Sequence, residues 1–172
     1  MLKYYIKFII NAPGIIIHEF SHVLFCAISG VHIFEIKYFQ FKSTAGYVKH
    51  AEPRNIIQAF FIVLGPLFLG STISFGLFYY ILYNPQINLL NAIALWFAIT
   101  IGTHSFPSDG DGKTLLYITN KQILHKKNPF ALFLYPFVLL IKIINFLKKF
   151  YLDFLYTAFL FGLAWYIIYL IK

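Results

Sequence analysis

Long apolar runs, interrupted by very little charge, restrict this chain to folds that keep much of their surface out of water. Asn55 to Leu82, Leu89 to about Thr103, Pro129 to Phe146 and Tyr151 to Ile171 are such runs, and Tyr4 to Ser29 is another. Charged residues make up 12% of the chain and hydrophobic ones 60%, against about 25% and about half in soluble domains. A soluble fold of 172 residues has too high a surface-to-volume ratio to hide that much apolar surface. A helix of about 20 apolar residues crosses a bilayer, and the mean hydropathy of +0.74 agrees. The expected fold is therefore membrane all-α. It is a polytopic helical bundle of four or five spans in one domain covering residues 1–172, with an interfacial β-hairpin after the first helix.

Several punctuation marks divide the runs. Asn11-Ala12-Pro13-Gly14 is expected to kink or restart the first helix, and Gly30 to end it. From Val31 to Tyr38, Phe34, Ile36 and Tyr38 alternate with Glu35 and Lys37, which is strand periodicity. Lys42 to Gly46 reads as a turn and Tyr47 to His50 as a returning strand. Gly65-Pro66 breaks the Asn55–Leu82 run; it frees a carbonyl and kinks the span, making room for substrate or water or simply serving packing. A polar loop, His104 to Gly112, follows the Leu89–Thr103 run, and a short amphipathic helix is expected from about Lys113 to Leu124. Pro129–Phe146 and Tyr151–Ile171 supply the last two apolar helices, separated by Lys148-Lys149.

The net charge of +8 does not point to nucleic acid, because the basic residues are scattered between apolar runs and form no stripe or recognition module. Lys37, Lys42, Lys49 and Arg54, together with Lys113, Lys121, Lys126 and Lys127, instead mark two cytoplasmic regions by the positive-inside rule. The hairpin and the Asp-Gly loop then lie on the cytoplasmic side. Lys148-Lys149 would face outward if residues 129–146 cross fully, so that segment is either a span or a tilted, interfacial or re-entrant helix. Cys26 is the one cysteine, which excludes an intramolecular disulfide and a cysteine-based zinc site. The apolar N-terminus runs straight into His18 and is expected to be retained rather than cleaved as a signal.

His18-Glu19-Phe20-Ser21-His22 is an HExxH motif. Residues i and i+4 share one face of a helix, so both imidazoles reach one metal ion, and Glu19 stands one step away, beside a water on that ion. Zn2+ is the expected cofactor, since it lowers the pKa of its water toward neutrality, and Glu19 then serves as general base. Given the chain's His and Glu content, chance produces the motif in about one such chain in three hundred. The alternative is a pair of buried histidines with Glu19 bonding between helices. A catalytic zinc site needs a third protein ligand, and Asp109 and Asp111 are candidates because Gly110 and Gly112 let the backbone bend toward the metal. The alternative there is an ordinary Asp-Gly turn at a membrane surface.

With these motifs in hand, the chain resembles the site-2 protease family of intramembrane metalloproteases. In that family an HExxH helix is followed by an Asn-x-x-Pro stretch and an Asp-Gly element that supplies the third ligand. His18, Glu19 and His22 match the first motif. His104-Ser105-Phe106-Pro107 followed by Asp111-Gly112 looks like the second, with His104 in place of Asn and the spacing one residue shorter. The likeness is greater to a compact prokaryotic branch, through Leu24-Phe25-Cys26, Gly46-Tyr47-Val48-Lys49-His50 and the His104–Asp111 loop. It covers residues 13–115; the helices in 129–171 lie outside it. The resemblance implies a zinc endopeptidase in a prokaryotic cell membrane, acting on membrane-associated proteins or peptides. It implies Asp111 rather than Asp109 as the ligand. Asp109 would more naturally cap the following turn or bind water at the interface.

His104 is a candidate catalytic residue, either donating a hydrogen bond to the oxyanion or adding a fourth ligand; otherwise it is an interfacial histidine. His32 reads as water-facing, His50 as part of the family-like segment, His125 as a headgroup contact and Asp153 as a partner of Lys149. The hairpin's free edge suits capture of an unwound substrate segment by strand addition. Two other functions compete with the protease: a non-catalytic metal-binding module of a binding or chaperone-like kind, and, less favoured, a transporter. Glu19 separates them, because a structural zinc site needs closed coordination and no general base.

Overall fold

The computed structural model describes residues 2–41, 44–124 and 127–171, with residues 2–4 and 149 as backbone only. Lys42 and Ser43 of the predicted turn, His125 and Lys126, and the pairing of Lys149 with Asp153 lie outside the described residues. The chain folds as α1 (Leu2–Ile28), β1 (Ile33–Lys37), β2 (Tyr47–His50), α2 (Ile56–Tyr83), α3 (Leu89–Thr103), α4 (Asp109–Leu124), α5 (Pro129–Leu147), a 3-10 turn (Lys148–Phe150) and α6 (Leu152–Ile171). Among the described residues, four helices are long and apolar enough to cross a membrane: Tyr5–Ile28, Ile56–Tyr83, Pro129–Leu147 and Leu152–Ile171. The fold is thus mainly helical with one small sheet, compatible with a membrane all-α protein. Large apolar side chains such as Phe133, Leu155 and Trp165 point outward from these helices.

α1 runs unbroken through Pro13, so the helix does not restart there. A single proline costs one internal hydrogen bond, and contacts made elsewhere along so long a helix hold it together. Three links four residues apart tie α1 to α3 in parallel register. The Trp96 indole N–H donates to the Ile10 carbonyl (2.8 Å), Gly14 packs on the Thr100 carbonyl, and the His18 imidazole bonds the His104 carbonyl (2.8 Å). α2 runs the other way beside α1, joined by Gln58 to the Ser29 carbonyl (2.9 Å) and by His22 to the Ile62 carbonyl (2.9 Å). One end of α2 packs with α4 and α5 around Ile56, Ala59, Val63, Leu115 and Val138. The other end packs with α3 and α6 around Phe78, Ala98, Leu160 and Ala164. Small residues at Ala98 and Ala164 let helix backbones approach, as in lipid-embedded bundles, and Ser74 donates across to the Ala98 carbonyl (2.8 Å).

α4 starts at Asp109, four residues before the expected start. Ser108 and Asp111 bond reciprocally, Asp111 Oδ2 accepting from the Ser108 N–H (2.7 Å) and Ser108 Oγ from the Asp111 N–H (3.2 Å). This is a capping box, so the Asp-Gly-Asp-Gly stretch is a helical first turn and not a flexible loop. α4 and α5 form an antiparallel excursion that leaves from Ser108 and returns to it, since Asn145 near the end of α5 donates to the Ser108 carbonyl (3.0 Å). Lys148 accordingly sits beside the 106–108 segment, where its ammonium donates to the carbonyls of Phe106 (3.2 Å) and Pro107 (2.8 Å).

The hairpin is antiparallel, with Ile36 opposite Val48, Lys37 opposite Tyr47 and an irregularity between Ile33 and Glu35. α1 ends in a helix-terminating turn: Gly30 takes φ +66° and the Val31 N–H reaches back to the Cys26 carbonyl (2.9 Å), a six-to-one closure that favours glycine. The chain then doubles back along α1 rather than extending from its end. Tyr38 packs near Phe20, Phe39 near Phe8, and Phe41 against Tyr5 and Phe8. In the hairpin Glu35 pairs with Lys49 at 2.7 Å; the Lys49 ammonium and the Tyr47 hydroxyl hold the Glu35 carboxyl below its usual range. His32 is exposed and edge-on to Phe34, and His50 donates to the Ala51 carbonyl (2.8 Å).

A Cβ at Gly14 would overlap the Thr100 carbonyl and approach His104 Nδ1 to 2.7 Å. Gly14→Val is therefore expected to destabilise the protein by about 1–3 kcal/mol, the usual range for overpacking. Thermal unfolding in detergent micelles checks it; an unchanged midpoint would refute the α1–α3 register.

Candidate metal centre

The i,i+4 spacing of His18 and His22 puts both rings on one face of α1, their centroids 4.9 Å apart. Each Nδ1 meets a backbone carbonyl: His18 that of His104 at 2.8 Å, His22 that of Ile62 at 2.9 Å. A carbonyl only accepts, so both Nδ1 atoms carry the proton, and in the neutral rings both Nε2 atoms offer lone pairs. These lone pairs face each other at 3.3 Å. Asp111 completes a triangle, with Oδ2 3.4 Å from His18 Nε2 and Oδ1 3.4 Å from His22 Nε2.

Two neutral imidazole lone pairs and a carboxylate brought this close repel one another unless a cation lies among them. Tetrahedral ligands about 2.0–2.1 Å from one ion stand about 3.3–3.4 Å apart, which is the spacing of all three edges. The donor set therefore fits a divalent metal ion, and His18, His22 and Asp111 are the three residues positioned to hold it. Asp109 is exposed on the first turn of α4 and lies outside the cluster. The expected reason for Asp111's reach, glycine freedom, is replaced by helix phase. As the third residue of a capped helix, Asp111 is aimed by the capping box.

Glu19 is buried beside the cluster and lines a cavity of about 1050 Å3. Its carboxylate bonds no other described residue, so the interhelical bonding considered for it is not made among them. The Thr44–Gly46 segment forms the wall facing it, and a Cβ at Gly46 would sit 2.6 Å from Glu19 Cγ and 3.1 Å from Oε1. His104 lines the same cavity but lies outside the three-residue cluster. Its Nδ1 donates to the Thr100 carbonyl at 2.8 Å. The neutral ring therefore offers Nε2 as an acceptor, and the imidazolium form is needed to donate from it.

Several residues of this site escaped the reading of the sequence. Gly46 sets the hairpin against Glu19. Asn145 and Lys148 hold the segment that carries Asp111, and burial pushes the Lys148 ammonium down, opposed by Asp111, Asp153 and Asp109. Asp153 lines the cavity, its Oδ1 accepting from the Phe154 N–H (3.0 Å). No local sequence signal marks these roles, which depend on long-range contacts. Comparisons with protein-family models, with curated proteins and with solved structures found no match.

The triangle predicts about one divalent ion per chain in protein purified without chelators. His18→Ala and His22→Ala are expected to lose it, because three-ligand sites do not survive removal of one imidazole. Elemental analysis checks this, and a metal-free wild type that takes up none on addition would overturn it.

Proposed function

We propose that the protein is a zinc-dependent intramembrane endopeptidase of the site-2 protease kind, hydrolysing peptide bonds of membrane-associated substrates. The observation that carries this reading is the pairing of a three-donor cluster with Glu19, a cavity-lining carboxylate that bonds no other described residue. A structural zinc site closes with four protein ligands, whereas a hydrolytic one keeps a position for water.

His18, His22 and Asp111 would hold the ion, which when bound acidifies a water and polarises the scissile carbonyl. Glu19 takes a proton from the attacking water and delivers it to the leaving amine. His104 is placed to donate from Nε2 to the developing oxyanion; burial favours its neutral form, so the donation draws on an imidazolium formed as that negative charge develops. The Thr44–Gly46 segment, already bonded on one side where the Gln40 N–H meets the Ala45 carbonyl (2.7 Å), offers its other side to an unwound substrate strand. A helical substrate hides its peptide bonds, so extension against this segment comes before cleavage. In the same reading the helices sit in a prokaryotic cell membrane, and the α4 end faces the cytoplasm.

Glu19→Gln is expected to keep its zinc and to lose cleavage by a factor of about 10²–10⁴, since the carboxamide binds water but accepts no proton. His104→Ala should also keep zinc and slow turnover by about 10²-fold. Reconstituted protein with a panel of single-span peptides, followed by mass spectrometry, measures both. Wild-type turnover in Glu19→Gln would rule out the general base, and a zinc-loaded wild type that cuts no membrane peptide would favour a non-catalytic metal-binding module.

A further inference from the structure

Pro66 lies inside α2 and is fully buried, next to the point where Gly65 packs against α1. In an α-helix the N–H of residue 66 would bond the carbonyl of residue 62. Proline has no N–H, and its ring crowds the carbonyl four residues back, tilting it off the helix axis. That carbonyl belongs to Ile62, and it accepts from His22 Nδ1 at 2.9 Å in a buried contact. Gly65 brings the two helices together at this point, a Cβ there meeting the Phe25 ring at 2.7 Å and the Ser21 carbonyl at 3.2 Å.

We infer that Pro66 is a positioning residue for the metal centre: it leaves the Ile62 carbonyl free to hold His22 as the Nδ1–H tautomer, with Nε2 aimed at the ion. The inference rests on the zinc reading above but concerns a contact that can be measured without zinc. A ligating imidazole is oriented by the acceptor on its other nitrogen, and losing that acceptor costs about 10–100-fold in metal affinity. His18 receives the same treatment from a different source. Its acceptor, the His104 carbonyl, is spare because α3 has ended. Where α2 passes His22 the helix has no end, so a proline supplies the spare carbonyl.

The test titrates zinc against a competing chelator in detergent-purified wild type, Pro66→Ala and Pro136→Ala, the last removing the proline inside α5. Pro66→Ala restores the N–H that competes for the Ile62 carbonyl. It should bind zinc about 10–100-fold more weakly, while its metal-free form unfolds at or above the wild-type temperature. Pro136→Ala should bind as the wild type does. A second measurement, 15N NMR of histidine-labelled, metal-free protein, should find wild-type His22 protonated on Nδ1 and that preference lost in Pro66→Ala. A proline serving only as a packing kink leaves tautomer and affinity in place. Unchanged affinity in Pro66→Ala, or a wild-type His22 protonated on Nε2, overturns the inference. If Pro66→Ala does not fold, Pro66→Gly, which also restores the N–H, takes its place in both measurements. If the wild type binds no zinc, the zinc reading fails while the tautomer still tests the contact.

Discussion

A backbone carbonyl in an apolar medium must find a donor inside the protein, and the site depends on how two such carbonyls are satisfied. One is spare because α3 stops before His104, the other because Pro66 cannot donate to Ile62. Both are taken by histidine Nδ1 atoms of α1. The exchange serves both partners: the carbonyls are paired, and the imidazoles are fixed with their Nε2 lone pairs converging. Irregularities that would weaken a helix in isolation are where the three-donor cluster is assembled.

The third donor arrives by a different device. Asp111 caps its own helix through Ser108 and points a carboxylate at both histidines, so the turn that starts α4 also orients the ligand. α4 and α5 then form a closed excursion whose far end returns to clasp the same segment through Asn145 and Lys148. The helices beyond residue 115 thereby become part of the site's support. Of the lysines between α5 and α6, which posed a topological difficulty if α5 leads to the opposite face, Lys148 turns its ammonium to the carbonyls of Phe106 and Pro107, just before the segment that bears Asp111.

The hairpin shows how a short sheet reaches the site. Two strands of five and four residues are too small to be stable alone, and the aromatic contacts of Phe39 and Phe41 with α1 supply the missing burial. Folding back along α1 is what sets Gly46 against Glu19. The absence of a side chain at Gly46 decides how close the hairpin comes, and so shapes the wall opposite the carboxylate.

Much was legible in the sequence. The apolar runs specified helices within a residue or two, because a membrane-compatible helix needs only length and hydropathy. HExxH put two imidazoles on one face, because helical phase is a local property. Alternation at Phe34, Ile36 and Tyr38 marked a strand for the same reason. The α4 start was misplaced because a glycine-rich stretch reads as loop until the Ser108–Asp111 bonds are seen. What Asn145, Lys148 and Gly46 touch, and where Asp111 stands relative to the histidines, were decided only by tertiary structure. The partners lie far along the chain, 37 residues away for Asn145, 40 for His22 and 86 for His18, and distance along the chain carries no periodicity from which such contacts could be read.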